Sequence, residues 1–155
     1  MTVTHRCRID VAFVLVVGLV GLVPMLAHGH GEPGEEIEAF AEHLDDYRAQ
    51  VEELTATVDG IADDYAAGRT ESARTAMDDF VERWEAIEYH SVVEVKAAPL
   101  YGPIWAGIQG LRGALDGENS PDEVRQASRA LVAALWEGMG AIRLAAATEG
   151  DPGEQ

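Results

Sequence analysis

Apolar residues recur along this chain at intervals of three and four over four long stretches. That alternation keeps side chains on one face of a helix with its period of about 3.6 residues. The first stretch covers 35–67. Ile37, Phe40, Leu44, Tyr47, Val51, Leu54, Val58, Ile61 and Tyr65 form an unbroken heptad row in it. Gly68 follows and suits the left-handed turn that ends a helix. The second stretch predicts one continuous helix from Thr70 to Lys96, with Met77, Phe80, Val81, Trp84, Ile87, Val92 and Val95 inward. Pro99 closes it, because the residue before a proline resists helical geometry. The third runs from Tyr101 to Leu115, with Pro103 in its first turn and Ile104, Trp105, Ile108, Leu111 and Leu115 inward. Gly107, Gly110 and Gly113 sit three apart and either form one thin face suited to close helix contact or simply mark a weak helix. The fourth opens at Ser120-Pro121-Asp122-Glu123, a serine cap with proline at the first helical position and a glutamate three residues on. It runs to about Ala147, with Val124, Ala127, Leu131, Leu135, Met139 and Ile142 inward. The β-branched run Ser91–Val95 lies inside a helical pattern, so no strand is expected. Short loops between four amphipathic helices predict an all-α, antiparallel four-helix bundle over 35–147, followed by a polar tail, 148–155.

Ahead of the bundle the pattern changes. Arg6 and Arg8 precede a nearly continuous apolar run, 11–26. A basic start followed by such a run is the order of a secretory signal, and the run is shorter than the roughly 20 residues a span needs. Pro24 and the small residues after it place cleavage after Ala27 or Gly29, giving a signal segment 1–29 and a flexible lead 30–34. An uncleaved anchor is the other reading, which Asp10 and the modest positive charge keep open. Cleavage would leave no stable membrane span and a periplasmic or extracellular protein. Cys7 is the only cysteine and would depart with the signal, which excludes disulfides.

Charge narrows the partners. The chain holds 28 acidic against 11 basic residues, a net charge of −17. Such a surface repels nucleic acid phosphates and anionic lipid head groups, so neither is expected as a partner. It favours cations or basic partners. Adaptation to high salt explains the same acidity equally well, since Lys96 is the only lysine and alanine is abundant.

The candidate chemistry centres on 84–94. In a continuous second helix Glu88 lies four residues after Trp84 and four before Val92, within the apolar stripe. A carboxylate there needs a cation or a donor. Arg112 on the third helix would supply a structural ion pair, a metal ion would make a site, and simple exposure of Glu88 is the remaining reading. Glu85, three residues earlier, can point the same way as Glu88. His90 and Glu94 stand one turn apart on another side and would need further ligands to hold a metal. His43 with Glu38 and Glu42 forms a weaker cluster on a solvated face. His28 and His30, with Glu32, would make an amino-terminal hook for copper or nickel if cleavage exposes them. Met77, Met139 and His90 are the residues available to a b-type haem. The sequence carries no phosphate loop, Ser/His/Asp arrangement or zinc-protease motif, so no enzyme is expected.

Several of these residues also form short motifs. Tyr65-Ala-Ala-Gly68, the alanines Ala73 and Ala76, Trp84-Glu85-Ala86-Ile87-Glu88, and the segment from Ile108 to Leu115 centred on Leu111-Arg112 follow one another in a stretch that covers roughly half of the expected mature chain. In this order they resemble the extracytoplasmic helical domain that accompanies bacterial high-affinity iron permeases of the Ftr type. The resemblance implies Glu85 and Glu88 as iron-contacting or structural acids, Arg112 as their partner, iron or another divalent metal as the ligand, and an iron permease as the envelope partner. The chain departs from the family in lacking permease helices and the membrane Arg-Glu-x-x-Glu motif, and in placing Trp105 where an acid is usual. The expectation is an exported helical bundle handling metal in the cell envelope. The alternatives are an interaction module without its own ligand, for which the first-helix heptad row also suggests homo-oligomers, and a haem-binding bundle.

Overall fold

The computed structural model describes residues 41–149. The signal segment, the lead, the histidine hook at His28 and His30, the helix expected over 35–40 and the residues after 149 lie outside them. The described residues fold into helices alone: α1 Leu44–Ala66, α2 Thr70–Ala86, α3 Glu88–Lys96, α4 Ala98–Asp116 and α5 Pro121–Glu149. The expected all-α fold is present. α1 packs on α2 and α5, α4 packs on α5 and α2, and α3 caps the group by leaning on α5 and α4. The long helices therefore follow one another around a four-helix ring.

Each turn is made by the residues that the local chemistry demands. Gly68 adopts φ +78°, a value side chains resist, and turns the chain from α1 into α2. Its neighbours Ala67 and Arg69 donate their amides back to Asp63 and Asp64. At the other end, Ser120 and Glu123 form the expected reciprocal cap. The Ser120 amide donates to Glu123 Oε2 at 2.7 Å, its hydroxyl at 2.8 Å, and the Glu123 amide reaches Ser120 Oγ at 3.4 Å. Long-range bonds fix the α4–α5 loop. The Tyr65 hydroxyl donates to the Asn119 carbonyl at 2.8 Å, and Arg74 satisfies the Leu115 carbonyl near the end of α4 at 3.0 Å.

The core is apolar throughout. Val51, Leu54, Val58 and Ile61 of α1 meet Met77, Phe80 and Trp84 of α2, Ile104, Ile108, Leu111 and Leu115 of α4, and Leu131, Leu135, Met139 and Ile142 of α5. Ser128 is the only buried polar residue among those described. Its hydroxyl donates to the Val124 carbonyl one turn back, so it carries no open valence. By length and composition Pro121–Thr148 could cross a membrane, yet 39% of its most apolar window is buried inside the bundle. One face of α5 is a core face.

Three expectations fail here. The second helix is not continuous: Ile87 is extended, at φ −89° and ψ 152°, and splits Thr70–Lys96 into α2 and α3. No proline or glycine marks the break. It is held from outside, because Gln50 Oε1 of α1 accepts the Tyr89 amide at 2.9 Å and satisfies a first-turn donor of α3. Pro103 lies inside α4 rather than in its first turn, since α4 begins at Ala98 and Pro99 occupies the first turn instead. The three glycines of α4 do not act together. A Cβ on Gly107 would sit 3.1 Å from Leu131 Cα, whereas Gly110 and Gly113 face open space. Only Gly107 is required by the α4–α5 contact.

Candidate functional site

The break at Ile87 decides where the candidate residues point. In an unbroken helix the position four after Trp84 would be inward, and that position is Glu88. The extended residue shifts the phase by one. Tyr89 enters the core in place of Glu88, and Val93 and Ala97 follow it at four-residue steps. Glu88 is exposed, as are Glu85 and Glu94. The expectation of a buried carboxylate is thereby overturned. No desolvation penalty attaches to Glu88, and nothing compels it to take a cation. Val95, expected inward, is 74% exposed for the same reason.

Arg112 pairs with an acid of α2, but not with Glu85 or Glu88. Its guanidinium donates to Asp78 Oδ1 at 2.5 Å, both side chains being exposed. Glu85 lies seven residues, about two turns, further along α2 from Asp78, so Glu85 and Glu88 stand at a different level of the bundle. Asp78 and Arg112 instead line a surface cleft of about 340 Å³ together with Glu71, Arg74 and Asp116. Arg74 is already committed there to the Leu115 carbonyl, and the cleft's charges are largely paired.

His90 does not join Glu94. It is half-buried, with Nε2 3.1 Å from the Tyr101 hydroxyl, and its ring meets Trp84 edge-on at a centroid distance of 4.9 Å. Trp84 also meets Tyr89 edge-on at 5.8 Å. Trp84, Tyr89, His90 and Tyr101 are thus an aromatic cluster that locks α2, α3 and α4 together. The Trp84 Nε1 donor is buried without a hydrogen-bond partner. An indole N–H near an aromatic ring loses less than one facing aliphatic carbon. His43 is exposed and bonds Asp46 at 3.1 Å, which raises its pKa. Among the described residues no group of three or more His, Cys, Asp or Glu side chains converges as a metal site would require. Met77 and Met139 are buried in the apolar core, Met77 beneath the cleft of Asp78 and Arg112.

The sequence reading missed Tyr89 and Gln50. Tyr89, Val93 and Ala97 do form an apolar row at helical spacing, which is the signal that was available. Nothing in the sequence marks Gln50.

No family model matches the chain, and neither a curated protein nor a solved structure matches it. The likeness to the iron-permease domain therefore rests on the motif residues alone.

Proposed function

We propose that the chain is a non-catalytic helical module of the cell envelope, exported by its N-terminal segment, that works through its surface. The observation that carries this reading is the distribution of its chemistry. Among the described residues the interior is filled by apolar side chains with one satisfied serine, only Trp84 Nε1 and Thr55 Oγ1 being buried side-chain polar atoms without a hydrogen-bond partner, while the acids of the candidate site all face water. Two large apolar side chains, Trp136 and Leu144, are nevertheless left exposed on α5, at 37% and 66%. Exposed large apolar groups on a helix that is otherwise well packed favour a contact surface. Metal handling, which the motif likeness implies, would need ligands beyond Glu85, Glu88, His90 and Glu94, from a partner or from residues outside 41–149.

Photo-crosslinking from Trp136 and from Glu85 in envelope preparations, paired with iron titration of the purified chain, separates the two. The module reading expects a discrete crosslinked species and only weak metal uptake that Glu85→Ala with Glu88→Ala leaves unchanged. Stoichiometric iron binding lost in that double variant would replace it with the metal reading.

A further inference from the structure

The break at Ile87 is a costly place to interrupt a helix. Ending α2 at Ala86 and starting α3 at Glu88 takes helical partners from the last carbonyls of one and the first amides of the other. Ile87 caps α3 with no side-chain bond, and the Gln50 side-chain oxygen serves the Tyr89 amide alone. The local sequence does not demand the break, since Glu85-Ala86-Ile87-Glu88 contains neither proline nor glycine. The apolar positions also serve two phases. α2 buries Ala73, Met77, Phe80 and Trp84. An unbroken helix would carry that face on through Ile87, Glu88, Ser91 and Val95. With the break, Tyr89, Val93 and Ala97 are buried instead, and Val95 is left 74% exposed. α3 is nine residues long, too short to be stable alone, so its seat on the bundle holds it in place. That seat is the notch at Gly138, with Ile104 and the Leu135 carbonyl beside it.

From this we infer that α3 is a releasable strap. In the closed form, which the structure shows, it lies across α4 and α5 and plugs the notch with Tyr89. In the open form 70–96 is one helix, the backbone bonds across Ile87 are restored, and the seat on α4 and α5 is uncovered. α1 has cover for the extended helix. Glu53 of α1 pairs with Arg83 of α2, and α1 runs past that level through Tyr47 to Leu44. The link to α4 can follow. The added helix, 87–96, carries Lys96 roughly 15 Å beyond Ala86 at about 1.5 Å per residue. The first turns of α4 hold Pro99, Gly102 and Pro103, and Pro103 has no amide to offer the helix. Unravelled, 97–103 reaches up to roughly 23 Å at about 3.3 Å per residue, which exceeds that rise. Two things keep the closed form the major one. Tyr89, Val93 and Ala97 are buried in it, and Glu88, exposed in it, would turn inward in the open form. Glu88 is thus the latch of the strap. The device belongs to the chain alone and does not depend on what the module binds.

The test uses the full-length chain in mild detergent with Cys7→Ser, which removes the only native thiol. Spin labels on Ser72→Cys and Glu94→Cys stand roughly 33 Å apart along a straight helix, and closer when the helix is bent. Two substitutions at the same exposed residue should act in opposite directions. Glu88→Leu removes the charge that opposes the open form, and Gln50→Ala removes the acceptor that holds the bend. Each should raise the open fraction about fivefold, so their combination shows a second distance near the straight-helix value. Glu88→Pro fits the closed form, as proline at a first helical position behind an extended residue, and cannot sit inside a straight helix. Placed with Gln50→Ala, it should leave the short distance alone. Circular dichroism verifies that each variant folds, and Glu88→Leu by itself carries the test if the combination does not. A single short distance in the Glu88→Leu chains would overturn the inference. So would a broad spread of distances, which marks local unfolding of α3, or a long distance that survives Glu88→Pro.

Discussion

The Tyr89 hydroxyl donates to the Leu135 carbonyl at 2.5 Å, and it does so by passing over Gly138. A Cβ on Gly138 would lie 2.5 Å from that hydroxyl oxygen. The glycine in α5 and the tyrosine in α3 are therefore one device: the missing side chain makes room for the bond. Tyr89→Phe should destabilise the fold by about 1 kcal/mol, the usual net worth of such a bond. Gly138→Ala should cost more than that in the native background. In the Tyr89→Phe background the hydroxyl is gone, and the gain in helix propensity, up to about 1 kcal/mol, should offset much of the cost. A double-mutant cycle by urea unfolding measures the coupling, and simple additivity would contradict the account.

The same tyrosine predicts an alkaline limit. Burial pushes its pKa well above the ordinary phenol value. A raised folded-state pKa contributes stability that is complete below the unfolded value, about 10, and is lost as pH rises beyond it. Stability should therefore fall steeply above about pH 10, and the fall should be shallower in Tyr89→Phe. Thermal unfolding from pH 8 to 11 checks this.

At the acid end the Ser120–Glu123 cap acts in the opposite sense. Hydrogen bonds from the Ser120 amide and hydroxyl hold the Glu123 carboxyl below its usual pKa. Stability from a lowered pKa is present above the unfolded value and is lost as pH falls through the folded one. Ser120→Ala should cost about 1 kcal/mol at neutral pH. Its penalty should shrink on acidification below about pH 4, as the carboxyl protonates in both proteins. A constant penalty across the acid range would show that the cap does not depend on that charge.

Two glycines of α4 should answer alanine with opposite signs. Gly107→Ala crowds the Leu131 backbone at 3.1 Å and should lower the melting temperature. Gly110→Ala meets open space and should raise stability by up to about 1 kcal/mol through helix propensity. Parallel melting curves of the two variants decide it.

Bulk acidity predicts a salt response. With a net charge of −17, self-repulsion is screened as ionic strength rises, and the Debye length shortens from ~10 Å at 0.1 M to ~3 Å at 1 M. The exposed pairs Arg48–Glu52 and Arg112–Asp78 contribute little and cannot reverse the trend. The melting temperature should therefore climb between 0.1 M and 1 M sodium chloride, and a fall would show that paired charges outweigh repulsion.

The sequence by itself determined the helices that depend on local chemistry. The α1 row from Tyr47 to Ile61, the positive φ at Gly68 and the Ser120–Glu123 cap follow from period and short-range bonding. So do the buried faces of α4 and α5, because a clean apolar stripe has only one way to face a core. Tertiary structure decided what no local pattern encodes. The break at Ile87 is secured by Gln50, 39 residues from Tyr89. That single phase shift turned Glu88 from an expected interior carboxylate into a solvated one and put Tyr89 in its place. Arg112 reached the expected neighbouring helix, but packing level rather than charge chose Asp78. Helical periodicity assigns a face only while the helix continues, and a break supplied by a distant side chain reassigns every residue beyond it.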